Sequence, residues 1–96
     1  MIVADFSMIP MGTGTSASRY VKAIHEVLNS SGVNFVPGPM STSMEVESLQ
    51  ELFPIIDAAN ERLKEMGVQR IITNIRIDCR LDKEISIRSK LQAVGP

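Results

Sequence analysis

The sequence is poor in the residues on which disulfides, metal centres and many catalytic sites depend. Its 96 residues include one cysteine, one histidine and no tryptophan. A single cysteine cannot form an internal disulfide, and together with one histidine it cannot complete the usual four-ligand zinc site. We therefore expect no bound metal, and the scarcity of cysteine favours a reducing, cytoplasmic location.

The sequence also lacks a charge imbalance and a long apolar run. It carries 10 basic and 11 acidic residues, mixed along the chain, so binding to nucleic acid or to an anionic membrane is not expected. Residues 1–11 are apolar, but Asp5 interrupts them and no basic residue precedes them, which predicts a strand rather than a signal peptide. No run approaches the ~20 apolar residues of a membrane span. We expect one globular domain over residues 1–96.

What the sequence does contain is hydrophobic periodicity. Strand patterns occupy residues 2–10, 33–36, 40–47 and 69–79, helical patterns occupy residues 17–31 and 48–66, and residues 86–94 suit a short third helix. Ser48 and Glu51 form a capping-box pattern, although Pro54 leaves open whether the second helix kinks there or begins near Phe53. The order predicts an α+β, ferredoxin-like βαββαβ sandwich: an antiparallel four-stranded sheet with two helices on one face and a short C-terminal helix.

The face of the sheet without the two long helices is expected to be polar with a few apolar positions. Alternation assigns to it Val3, Asp5, Ser7, Ile9, Ser41, Ser43, Glu45, Glu47, Ile72, Asn74 and Arg76. A polar sheet face is typical of simple exposure to water. The mixture with isoleucine and valine also suits a subunit contact or a site for a small polar ligand, so these interpretations stay open.

A glycine-rich loop separates the first strand from the first helix. Gly12, Thr13, Gly14, Thr15 and Ser16 match the local pattern of a dinucleotide fingerprint, but the chain is too short for two mononucleotide halves and has no acidic residue at the required place. Two interpretations remain. The loop is either a tight turn with Thr15 or Ser16 as the helix cap, or a seat for an anion such as phosphate.

The remaining chemically versatile side chains do not form a catalytic pattern. His25 is expected on the polar side of the first helix, and Cys79 on the core side of the fourth strand. Glu45 and Glu47 lie on one strand face, where two carboxylates could act as acid and base. Because no catalytic triad, zinc or phosphate-loop signature accompanies them, we expect a protein that is not an enzyme.

Three stretches taken together resemble the small thiamine-binding protein family. They are MIVADFSMIPMGTGTS with SRYV at residues 1–16 and 18–21, GPMSTSME at 38–45, and RIITNIRID at 70–78 with Arg80 and Asp82. The resemblance implies a ferredoxin-like fold, homodimers that join their sheets and commonly pair into tetramers, and a thiamine or hydroxymethylpyrimidine ligand near a subunit contact. Ser41 departs from the glycine that many members have there, which leaves the ligand specificity open.

These observations lead to a functional hypothesis, the non-catalytic binding of thiamine or a related pyrimidine at a subunit interface. The candidate ligand-binding residues are Ser7, Ile9, Ser41, Thr42, Glu45, Glu47, Ile72, Asn74 and Arg76, with residues 12–16 for a phosphate. Hydroxyl and amide groups would bind the aminopyrimidine edge, Glu45 or Glu47 would face the thiazolium cation, and the isoleucines would sandwich a ring. The alternative is a regulatory protein–protein interaction module whose oligomer responds to a small ligand.

Overall fold

The structure, a computed structural model, describes residues 1–95. The elements are β1 (Ile2–Pro10), α1 (Ser18–Ser31), β2 (Asn34–Pro37), β3 (Thr42–Val46), α2 (Leu49–Glu65), β4 (Ile71–Asp78) and α3 (Ile87–Val94). The four strands form one sheet in the order β2-β3-β1-β4, and every neighbouring pair is antiparallel. The ferredoxin-like α+β prediction is confirmed.

The core lies between the sheet and the two long helices. Alternation along β1 turns its even-numbered side chains, among them Phe6 and Met8, toward the helices, where they are buried. The buried stripe of α1 is Tyr20, Ala23, Ile24 and Leu28, and that of α2 is Leu52, Ile55, Ala59 and Leu63. Apart from Ala23, these residues and Met44 belong to a single packed cluster, so this face of the sheet is closed by hydrophobic contacts.

The start of α2 resolves the alternative that Pro54 left open. Ser48 is its N-cap, and its hydroxyl accepts a hydrogen bond from the Glu51 N–H at 3.3 Å. The Glu51 carboxylate in turn accepts one from the Glu47 N–H at 2.9 Å. The helix therefore begins at Leu49 and continues through Pro54, because capping stabilises the first turn and proline removes only one backbone donor.

The third helix covers part of the opposite sheet face. Val3 of β1 packs with Ile85 and Ile87 in a small buried cluster on that face. Lys90 of α3 forms an ion pair with Asp78 at the end of β4, and Ser86 and Ser89 form a capping box at its start. α3 therefore covers the part of this face around Val3 and Asp78. The part around Ile9 and Ile72 stays exposed.

The end of β4 corrects one expectation. The strand ends at Asp78, so Cys79 falls outside the alternation and its side chain is exposed. The prediction that Cys79 is buried in the core is therefore wrong.

Along residues 1–95, no helix is both long and apolar enough to cross a membrane.

Candidate functional site

The site begins with a difference in length between two neighbouring strands. β1 pairs with β4 from Val3 to Pro10, but it pairs with β3 only from Ile2 to Phe6. Residues 7–10 of β1 therefore have no strand along their β3 side. The loop before α1, the first half of α1 and the loop after β2 lie around this unpaired edge and border a partly open cavity of about 380 Å³, here called the edge cavity.

The edge cavity is lined by four segments of the chain. They are residues 6–10 of β1, residues 13–17 of the glycine-rich loop, Val21, Ile24 and His25 of α1, and residues 38–42 between β2 and β3. The walls are largely apolar, with hydroxyl groups distributed among them. This combination is typical of a small-molecule site, in which a few polar groups orient a ligand held by apolar surface.

The backbone of β1 adds a donor and an acceptor to the edge cavity. The Met11 N–H donates to the Arg70 carbonyl at 2.8 Å, so the odd-numbered residues of β1 direct their peptide groups toward β4. The even-numbered residues direct theirs the other way, and at Met8 that side is the unpaired edge. A ligand in the edge cavity can therefore meet the Met8 N–H and carbonyl as a strand would.

Among residues 1–95, His25 is the single ionisable side chain in the wall of the edge cavity. Its Nε2 lies 3.2 Å from the Thr42 Oγ1, and its ring is 5.8 Å from that of Phe35. Thr42 is only 7% exposed and His25 itself is half-buried, so the expectation of a histidine on the polar surface of α1 is wrong. Sequence spacing contained the signal, because His25 follows Val21 by four residues and precedes Leu28 by three, on the apolar stripe.

The glycine-rich loop contributes wall rather than a helix cap. Gly12 and Gly14 have φ of +78° and +95°, a region that favours glycine, and the chain turns there into the cavity wall. The N-cap of α1 is Ala17, with no side-chain cap hydrogen bond, so the expected cap by Thr15 or Ser16 is wrong. The anion interpretation of this loop stays a prediction.

A second concavity lies on the open sheet face and is called the open-face hollow. It also has a volume of about 380 Å³, and its lining is Asp5, Phe6, Ser7, Met40, Ser41, Asn74, Ile75 and Arg76. Phe6, Ser7, Met40 and Ser41 line the edge cavity as well, so they form a shared wall between the two spaces.

An ion pair dominates the open-face hollow. The Asp5 carboxylate accepts two hydrogen bonds from Arg76, at 3.0 Å from Nε and 2.6 Å from Nη2, and one from the Ser41 hydroxyl at 3.3 Å. The hydrogen bonds from Arg76 hold the pKa of Asp5 below its usual range. The pairing follows from the register, because Asp5 and Arg76 are directly opposite in β1 and β4.

The structure brings only part of the predicted ligand-binding set together. Ser7, Ile9, Ser41, Thr42 and residues 13–16 line the edge cavity, whereas Asn74 and Arg76 line the open-face hollow and Gly12 lines neither. Ile72 lies opposite Ile9 on the open face, where they are 39% and 46% exposed. Sequence reasoning missed Met8, Val21 and His25 because their role depends on where β3 begins.

The two glutamates predicted to face a cation lie elsewhere. The Glu45 Oε1 accepts a hydrogen bond from the Ile87 N–H at 2.7 Å, at the first residue of α3. Glu47 is exposed beyond the end of β3. Neither lines the edge cavity. Across residues 1–95, no three His, Cys, Asp or Glu side chains are grouped so that they could hold a metal ion.

Comparisons with known proteins agree with this architecture. The family model for thiamine-binding proteins matches residues 4–95. A UPF0045 protein of Methanothermobacter thermautotrophicus is 38% identical over 95 residues, covering 98% of this chain and 96% of its own. The Bacillus subtilis UPF0045 protein YqgV is 38% identical over 100 residues, covering 99% and 95% of the two chains.

A solved structure supports the same assignment. The crystal structure of MJ1052 from Methanocaldococcus jannaschii superimposes with a TM-score of 0.85 at 36% identity, covering 98% of this chain and 95% of its own. Fold, length and sequence therefore agree over nearly the whole chain. The chain belongs to the thiamine-binding protein family.

Proposed function

We propose that the protein binds thiamine or a thiamine-related pyrimidine without transforming it, and that the edge cavity is the site. The observation that carries the proposal is the combination of apolar walls, hydroxyl groups and an unpaired strand edge in one partly open cavity of about 380 Å³, in a chain of the thiamine-binding family. That volume falls within the range of small-ligand sites.

The chemistry of the lining suits an aminopyrimidine. Such a ring is flat, and its edge carries an amino donor beside ring-nitrogen acceptors. The Met8 N–H and carbonyl offer the complementary pair along the strand edge, while the Thr42 and Ser41 hydroxyls lie on the adjoining wall. Phe6 and Ile24 supply apolar surface for the ring faces, so the cavity can satisfy both the edge and the faces of the ring.

Binding without catalysis is the better match to the ionisable groups. His25 and Thr42 do form a histidine–hydroxyl contact, which in principle is the start of a nucleophile and its base. None of the carboxylates in the described part of the chain lines the edge cavity to orient the imidazole.

We also propose that two chains pair through the open sheet face, and that such dimers pair again as tetramers in the cytoplasm. Support comes from Ile9 and Ile72, which lie side by side and exposed on that face. Met40 is 87% exposed and lines both concavities. A subunit contact there would place the ligand beside the interface, which also favours the second candidate function, an oligomer that responds to its ligand.

Titration calorimetry with thiamine, thiamine phosphate and hydroxymethylpyrimidine tests the function. Saturable heat with at least one compound is the expected result. Absence of heat and of a thermal shift with all three would overturn the proposal.

A matched pair of variants tests the site. Val21 lines the edge cavity and is partly exposed on α1, so Val21→Trp should block the cavity and abolish binding without unfolding the chain. Lys22→Trp, at the exposed neighbouring position outside the lining, is the control and should bind normally. Normal binding by folded Val21→Trp would place the site elsewhere.

A further inference from the structure

We propose that α3 is a displaceable helix that limits how closely two chains pair, and that its release strengthens their pairing. The inference rests on the proposed pairing through the open sheet face and adds its regulation. In the single chain, α3 already lies on that face, over the part around Val3 and Asp78. It therefore occupies surface that a second chain would need.

The thickness of α3 keeps two such faces apart. A helix with its side chains is about 10 Å across, which is also about the distance at which two sheet faces pack directly on each other. With α3 in place, a second chain can therefore pack closely only over the part of the face around Ile9 and Ile72, where the side chains are exposed. Full contact between the two faces requires α3 to leave.

Hydrophobic contacts hold α3 only weakly. Within α3, all of which the structure describes, Ile87 is the one buried residue. It packs with Val3 and Ile85 in a cluster separate from the main core. Leu91 and Val94 continue the apolar stripe of the helix but are 60% and 80% exposed. An element with so little buried apolar surface can open locally without unfolding the rest of the chain.

The packing of α3 is also incomplete on the side of β2. A groove of about 620 Å³ lies there, lined by Asn34 and Val36 of β2 and by Arg88, Leu91 and Gln92 of α3. Side chains that face such a gap lack the close contacts on which dispersion attraction depends. α3 is therefore packed against the sheet along one side of the helix only.

The remaining contacts of α3 and of the connection before it depend on three carboxylates. Glu45 accepts a hydrogen bond from the Ile87 N–H at 2.7 Å, and Asp78 forms an ion pair with Lys90. Glu84, in the connection, accepts a hydrogen bond from the N-terminal ammonium group at 2.9 Å. Ion pairs at the surface are weak because solvent and salt screen them. A single substitution should therefore shift the balance between the docked and the released helix.

Release of α3 uncovers apolar surface on the strand that already exposes Ile9. Val3, which is 8% exposed while it packs with Ile85 and Ile87, lies on the same face of β1 as Ile9. A longer apolar row offers a second chain more surface to bury. α3 and the second chain thus compete for one surface, so the apparent dissociation constant of the pair falls as the released fraction rises.

Charge reversal at Lys90 gives the first test. Lys90→Glu replaces the attraction to Asp78 by repulsion, so hydrogen exchange of the amides in residues 87–94 should speed up by about three- to tenfold. The dissociation constant of the pair, measured by sedimentation equilibrium, should fall by the same factor, because both quantities follow the released fraction. Lys83→Glu makes the same change of charge and should alter neither quantity, since Lys83 forms no ion pair within residues 1–95.

Removal of an apolar contact gives a second test that does not depend on charge. Ile87→Ala shrinks the small buried cluster, and it should again speed up exchange and tighten pairing together. Faster exchange in either variant with unchanged or weaker pairing would overturn the inference while leaving the proposed pairing intact. Unchanged exchange in both variants would show that these contacts do not hold α3, and would also overturn the inference.

A variant on the exposed part of the face separates the inference from the proposed pairing. Ile72→Asp places a charge there and should abolish pairing with or without Lys90→Glu. Pairing that survives Ile72→Asp, or absence of pairing in both the wild-type and the Lys90→Glu chain, would overturn the proposed pairing together with the inference. Ligand binding in the edge cavity is tested separately by calorimetry and is independent of these outcomes.

Discussion

The edge cavity and the open-face hollow have equal volumes of about 380 Å³ and share a wall, yet their chemistry is opposite. One is lined by neutral groups with a single histidine, and the other contains a bidentate carboxylate–guanidinium pair. The difference follows from the two-residue period of β1, which turns Phe6 and Met8 toward the helices and Asp5 toward the open face. The Asp5–Arg76 ion pair thus links β1 to β4 on the open face, while the neutral edge cavity remains available for a ligand.

The largest effect is expected from removing the Phe6 side chain from the wall that the two spaces share. Phe6 is 3% exposed and contributes to both spaces, so Phe6→Ala should join them and destabilise the fold by about 3–5 kcal/mol. Urea unfolding monitored by circular dichroism measures the loss. Ile9→Ala on the same strand, where the side chain is largely exposed, is the control and should cost well under half as much. Equal losses would mean that Phe6 is not a packing element of the wall.

A milder change compares the two spaces as binding sites. Thr42→Val removes a hydroxyl from the edge cavity with little change of shape, and should weaken pyrimidine binding about three- to tenfold. Asn74→Ala removes an amide from the open-face hollow and should alter the affinity by less than about twofold. Calorimetry on both variants decides between the spaces, and a reversed order of effects would move the ligand to the open face.

Alternation in the sequence predicted which residues share a face of the sheet, but it did not predict the edge cavity. Alternation placed Asp5 and Arg76 on one face correctly, because burial of every second side chain is encoded locally. The pattern of residues 40–47 also predicted a strand from Met40, whereas β3 begins at Thr42. The cause is the turn before it, where the Gly38 N–H donates to the Ser41 carbonyl at 2.9 Å.

That turn also explains why a local pattern could not reveal the site. A Cβ on Gly38 would lie 2.6 Å from the Ser41 carbonyl oxygen, so only glycine permits this close approach. The turn comes directly before Thr42, where the pairing of β3 with β1 ends, so residues 7–10 of β1 have no partner on that side. The length of β3 is therefore set by a turn that hydrophobic periodicity does not describe. The same turn leaves the space that His25 lines.

Glu45 was expected at the ligand, but its carboxylate contacts the start of α3 instead. Glu45→Gln should loosen α3 by about 1 kcal/mol, because the carboxylate accepts a hydrogen bond at the N-terminus of that helix. Hydrogen exchange of the amides in residues 87–94 should therefore speed up, while pyrimidine affinity stays unchanged. Glu47→Gln, beyond the strand, is the control for the loss of one charge. Weaker pyrimidine binding by Glu45→Gln would restore this carboxylate to the ligand site.

The smallest expected effect concerns the pH dependence of the ion pair. Hydrogen bonds from Arg76 lower the pKa of Asp5 in the folded chain, whereas the unfolded chain keeps the ordinary value of about 3.9. The stability from this pair is therefore fully present above about pH 4 and is lost as the pH falls through the lower folded value. Asp5→Asn should flatten this part of the stability curve, measured by thermal unfolding between about pH 5 and pH 2.

Arg76→Gln should flatten the same acidic part of the curve, because it removes the donor that lowers the pKa of Asp5. Since Arg76 is 86% exposed, solvent screens the pair and the change in unfolding temperature should be small. At neutral pH, neither Asp5→Asn nor Arg76→Gln should change the affinity for the pyrimidine, because the ion pair faces away from the edge cavity. If Arg76→Gln instead improved thiamine binding, the freed Asp5 carboxylate would be reaching the thiazolium through the shared wall, and the wall would be less of a barrier than its packing indicates.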